Sequence, residues 1–151
     1  KKLPSNLPEM LKLICTLHSD KLDCIPDAME SARTAKFNDL QKAWELMWSL
    51  AEVLHPMLFG NSIPFSSVEF KNKTGFNVAM SEGNMTQRDA KLMRLREREY
   101  QGRKIDITAH VGVAKPPAWL RIHFAVDHAS GKLVIGHCGD HMENYSTQKL
   151  S

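Results

Sequence analysis

Cysteine is scarce in this chain: Cys15, Cys24 and Cys138 are the whole supply, with no CxxC pair among them. Three thiols cannot all pair within one molecule, so a disulfide-stapled secreted scaffold is not the expectation, and a reducing cytoplasm is. Long apolar runs are also missing. Nothing approaches the roughly 20 residues that a membrane-spanning helix needs, so no membrane partner is expected. Lys1-Lys2 leads into Pro4 and a polar segment, where a signal peptide would carry an apolar core. The first residue is not methionine, which fits a processed protein or a piece of a longer chain. Neither charge dominates: the net charge of +3 is mildly basic, and its distribution matters more than its size.

What is present suits one domain. With 151 residues and 42% hydrophobic residues, the chain is long and apolar enough to bury a real core. The expectation is a single α+β domain over 1–151, with a helical layer in 1–60 and a mainly antiparallel sheet in 66–142. In the first half, Met10, Leu11, Leu13, Ile14 and Leu17 follow Pro8 at helical spacing, with Ser5 or Asn6 as the cap. Cys15 falls within that pattern and reads as a buried thiol. A short helix is expected after Cys24-Ile25, with Pro26-Asp27 in its first turn. The strongest helix runs from an Asn38 cap to about Phe59, carrying Leu40, Ala43, Trp44, Met47, Leu50, Ala51, Leu54 and Leu58. Pro56 should perturb its last turn. Trp44 and Trp48 read as core residues, not as a base-stacking platform.

In the second half the period falls to two. Val68 and Phe70, then Phe76, Val78 and Met80, suggest two short strands around Lys73-Thr74-Gly75. Asn84 or Thr86 should cap a helical turn over Gln87 to Lys91. Arg94, Arg96 and Arg98 alternate with Leu95, Glu97 and Glu99, and Gln101-Gly102 turns the chain. Ile105, Ile107, Ala109, Val111 and Val113 then alternate with polar residues, which means one buried and one exposed face. Pro116-Pro117 makes a rigid connection. The last two strands, Leu120–Val126 and one that starts at Lys132 and runs into a segment holding His137, Cys138 and His141, form a hairpin around His128-Ala129-Ser130-Gly131.

Alternation should place the arginines in a row on one sheet face. A row of guanidinium groups can track a phosphate backbone. Arg94, Arg96, Arg98, Arg103, Lys104 and Lys115 are therefore candidates for binding nucleic acid. His137 and His141 are spaced HxxxH with Cys138 between them, which are zinc-type ligands. Gly136 and Gly139 argue against the helix such spacing requires, so no metal or other cofactor is expected. Histidine also moves protons near neutral pH. With arginines to hold a phosphate, such a site can cleave RNA by using the 2′-hydroxyl as nucleophile, without metal. Arg121 and His123 share a strand face, and His137 joins them in only one of two hairpin registers.

Residues 105–148 resemble the last strands of RelE/ParE-type toxins, small α+β proteins of bacterial toxin–antitoxin pairs. The matching elements are Leu120-Arg121-Ile122-His123-Phe124, a turn over Asp127 to Lys132, Leu133-Val134-Ile135-Gly136-His137, and Tyr145. The resemblance implies an endoribonuclease acting on RNA, in the RelE branch on the ribosome, with an antitoxin or a larger parent protein as partner. By position, Arg121 would hold the scissile phosphate, while His123, His137, His141 and Tyr145 would handle protons. His137-Cys138 stands where the family usually places an arginine, and the N-terminal helices and the 66–100 segment depart from the simple toxin order. A non-catalytic module that binds nucleic acid or protein through a basic sheet face is the other reading.

Overall fold

The structure is a computed structural model that describes residues 4–60 and 64–142. Helix α1 (Leu7–Leu17) opens on Asn6, whose Oδ1 accepts the Glu9 N–H at 2.9 Å. Pro8 sits in the first turn, where its missing N–H leaves no helical bond unmade. Leu7, Met10, Leu11 and Ile14 point into the core. A short strand, β1 (Leu22–Cys24), leads to α2 (Pro26–Thr34). Helix α3 (Leu40–Ser49) is capped one residue later than expected: Asp39 accepts the Lys42 N–H at 3.1 Å, in place of Asn38.

The helix then widens. Leu50–Leu54 is π-helical, with the His55 N–H bonded to the Leu50 carbonyl, before α4 (His55–Phe59) resumes. Pro56 has no N–H to donate and crowds the carbonyl four residues back, so a wide turn just ahead of it relieves the conflict. Trp44 packs against the core as expected, but Trp48 is exposed. Cys15 is half-buried, and Cys138 is the thiol that is fully enclosed.

The 66–80 segment corrects the expectation of two strands. Its first part is α5 (Ser67–Thr74), and only β2 (Asn77–Ala79) is extended. Ser66 accepts the Glu69 N–H at 3.2 Å, and an S-x-x-E cap outweighs the spacing of Val68 and Phe70. Two short helices follow, α6 (Asn84–Gln87) and α7 (Ala90–Arg94). The remaining strands are β3 (Glu97–Tyr100), β4 (Arg103–Asp106), β5 (Ala109–Lys115), β6 (Ala118–Asp127) and β7 (Lys132–Gly139).

The main sheet has the order β1-β7-β6-β5-β2; β1 pairs in parallel with β7 and the other neighbours are antiparallel. Strands β3 and β4 form a separate hairpin. The fold is thus α+β, with helices beside a mainly antiparallel sheet. No helix among the described residues is long and apolar enough to cross a membrane.

The two faces of the main sheet are covered differently. Val111, Leu120, Ile122, Phe124, Ile135 and Cys138 meet α1, α3 and the π-helical turn in the larger core. Ala125 and Val134 point the other way, into a small cluster with Ile25, Tyr100, Ile105 and Ile107. The alternation over 105–113 therefore feeds two cores, and it is not one strand. Asp106 turns the chain by accepting the Thr108 N–H at 2.7 Å, which separates β4 from β5.

The β6–β7 register decides which residues share a face. Val126 lies opposite Leu133 and Phe124 opposite Ile135, but His123 lies opposite His137. Gly136 is the extra residue of a β-bulge at that step. In a regular ladder, with Gly136 paired to His123, His137 would face Ile122 and point into the helical core. A Cβ at Gly136 would come within 2.7 Å of Ile107 Cγ2, so the bulge lies against the small cluster without room for a side chain.

Candidate functional site

The rest of the second sheet face is polar. Arg121, His123 and His137 project from it, with His110 opposite His123 on β5. The ring centroids of His110 and His123 are 4.7 Å apart, and those of His123 and His137 are 5.6 Å apart. His141 follows β7 and meets Trp119 edge-on at 6.4 Å between centroids. Four of the five residues singled out from the sequence as catalytic thus stand on one side of the sheet. The fifth, Tyr145, lies outside the described residues.

Each histidine is held by a backbone carbonyl. Nδ1 of His110 bonds to Thr108 O at 2.9 Å, and Nδ1 of His123 to Ile107 O at 2.9 Å. Nε2 of His137 bonds to Asp140 O at 2.6 Å, and Nδ1 of His141 to Met142 O at 2.8 Å. A carbonyl only accepts, so each of these ring nitrogens carries the proton. Burial lowers all four pKa values, with nearby positive charge adding to the effect. His123 is the extreme case: with 1% of its surface exposed, it is pushed down to about 2, and its Nε2 has no hydrogen-bond partner. It is a neutral imidazole sealed from solvent.

Behind this row lies a buried ion pair. Arg96 Nε donates to Glu82 Oε2, and Arg96 Nη1 donates to Leu92 O at 2.8 Å. Arg96 is 1% exposed, the bulkiest of the fully enclosed side chains. The row of arginines expected from alternation therefore does not form. Arg94 ends α7, so the strand begins only at Glu97. Arg96 points inward, and Arg98 pairs with Asp27 at 2.9 Å.

The other cations of that set are also matched by acids. Arg103 pairs with Asp127 at 2.6 Å, Lys104 with Glu97 at 3.6 Å, and Lys115 with Asp39 at 3.2 Å. These side chains hold local structure together and form no continuous basic stripe.

Arg121 behaves differently. It is half-buried and makes no ion pair among the described residues. Burial works against its charge, and Glu82 acts in favour of it. It lines a cleft of about 450 Å³ with His110, Gly112, Trp119, Lys42 and Lys71. Gly112 lies directly across from Arg121, and the absent side chain keeps the guanidinium stem against the strand. Trp119 is 50% exposed at the rim. The cleft is thus cationic, with an aromatic edge and one wall made of histidine.

The zinc-like trio His137, Cys138 and His141 does not assemble, because Cys138 faces the helical core. Glu82, His110 and His123 converge instead, one candidate ligand atom from each lying within 4.8 Å of the others. Sequence spacing could not reveal this set, since its members come from the loop after β2, from β5 and from β6. Lys42, Lys71 and Trp119 were missed for the same reason. No protein-family model, curated protein or solved structure matches the chain.

Proposed function

We propose that this chain is an endoribonuclease of RelE-like toxin or defence-effector type, cutting RNA without a metal in the bond-breaking step. The observation that carries the reading is Arg121: a half-buried guanidinium with no ion pair among the described residues, in a cleft that also holds Lys71 and Lys42, the latter paired with Glu45. A cation in such a place favours an anionic ligand, and a phosphodiester brings charge that Lys71 can share. The exposed Trp119 ring offers a stacking surface to a neighbouring base, worth about 1–3 kcal/mol.

His141 is the best-placed proton carrier of the sequence-derived set, because it is only partly buried and acts electrostatically on the arginine site. As a neutral imidazole it takes the proton of the 2′-hydroxyl. The oxygen attacks phosphorus, the 5′-oxygen leaves with a proton from water, and a 2′,3′-cyclic phosphate remains. Arg121 stabilises the charge that gathers on the phosphoryl oxygens. His123 is sealed from solvent and positions its neighbours. His137, tied to Asp140, shapes the wall. Its antitoxin or parent-protein partner belongs to the same proposal.

The test compares free RNA and ribosome-bound RNA with oligomers carrying 2′-deoxy at each position. Cleavage should stop where the 2′-hydroxyl is removed. Arg121→Ala should slow it by about 10²–10³-fold. If neither RNA is cut, the enzyme reading fails, and salt-sensitive RNA binding that depends on Arg121 would assign the cleft to a binding module.

A further inference from the structure

The His123 imidazole poses a problem that the nuclease reading leaves unsolved. A buried polar atom without a partner costs about 1–3 kcal/mol, and proteins rarely leave one unmatched. His123 Nε2 is such an atom, on a ring with 1% exposure. Since Nδ1 donates to the Ile107 carbonyl, Nε2 holds a free lone pair. His110 repeats the arrangement through Thr108. A ring whose Nδ1–H is anchored to a backbone carbonyl, standing 4.7 Å from a second imidazole between centroids, has the support that metal-bound histidines receive.

We propose that Glu82, His110 and His123 bind a divalent first-row transition-metal ion such as Zn(II). The donor set of two imidazoles and one carboxylate suits that class of ion and leaves coordination positions for water. The three candidate ligand atoms already lie within 4.8 Å of one another. Binding at about 2.0–2.2 Å draws them to roughly 3.4 Å, a contraction that small side-chain rotations supply. Arg96 does not remove Glu82 from the set. It donates to Oε2 and holds the group oriented, and a carboxylate has two oxygens with which to accept or coordinate.

The ion ties the loop after β2 to strands β5 and β6 and so fixes the wall that His110 gives to the cleft. This inference does not rest on RNA cleavage, and its test uses no RNA. The full-length chain is stripped of metal, titrated with Zn(II) or Co(II), and desalted. One retained equivalent is expected, and X-ray absorption of the cobalt form should fit two imidazoles plus oxygen.

His110→Gln and His123→Gln should each weaken binding by at least about tenfold. His128→Gln, on the exposed β6–β7 turn, should bind as wild type does. Failure to retain either ion overturns the proposal. So does a retained ion without two imidazole ligands, or equal binding by folded His110→Gln and His123→Gln variants. Should a variant not fold, the wild-type absorption spectrum decides alone.

Discussion

The two faces of one sheet follow opposite rules. The face toward α1 and α3 carries Val111, Leu120, Ile122 and Phe124, which touch one another and the helices and have no exposure to solvent. The other face, on the same strands, carries His110, Arg121 and His123 beside a buried Glu82–Arg96 pair. The first is held by area removed from water and tolerates no gap. The second is held by matched donors and acceptors and leaves some of them open. The difference separates the part of the molecule that makes it fold from the part able to meet a ligand.

Removing bulk from the first face should have the largest effect. Phe124→Ala is expected to cost about 3–5 kcal/mol, read as a drop in the urea midpoint with little change in slope. On the second face, Arg96→Ala should cost nearly as much, about 3–5 kcal/mol, for a different reason: it strands the buried Glu82 carboxylate. Replacing both members, Glu82→Gln with Arg96→Met, should recover most of that loss, whereas no polar partner rescues Phe124→Ala. If the double variant is as unstable as Arg96→Ala, the pair is not what closes this face.

Gly136→Ala comes next. Its Cβ would press on Ile107, and overpacking of this kind costs about 1–3 kcal/mol. Trimming the obstacle with Ile107→Val should restore part of it. The smallest effect per step is acid sensitivity of the metal-free protein. His123 is lowered from 6.5 to about 2, and His110, His137 and His141 move in the same direction.

The unfolded chain therefore takes up protons first. The stability that neutral histidines confer is present above pH 6.5 and drains away below it, by up to about 1.4 kcal/mol per pH unit for each group. Melting temperature should fall between pH 7 and pH 5, before carboxylates titrate. A flat profile over that range would show that the polar face does not bury neutral imidazoles.

The sequence made the first face legible and only part of the second. Alternation and apolar type identify strands β5 to β7, and Asn6 with Pro8 marks α1, because those signals act over neighbouring residues. The α5 helix was readable too, from Ser66 and Glu69, but the two-residue spacing of Val68 and Phe70 drew attention away. Arg96 was misread as a surface cation. Its partner Glu82 is 14 residues away with α6 and α7 between them, and no local pattern reports such a pairing. The histidines were found by type. Their arrangement, and the lack of an ion pair at Arg121 among the described residues, are properties of chain crossings that composition does not encode.

The bulge at Gly136 has a meaning best put in terms of parity. Along β7, odd positions face the helices before it and even positions face them after it: Leu133 and Ile135 on one side of the step, Cys138 on the other. The strand is two half-strands of opposite phase joined by one residue. A regular ladder with Gly136 paired to His123 would leave the sequence untouched, yet it would turn His137 into the core and bring Cys138 to the polar face opposite Arg121. A whole functional surface is thus set by a single count, and a ladder slipped by one residue here would present a thiol where this one presents an imidazole.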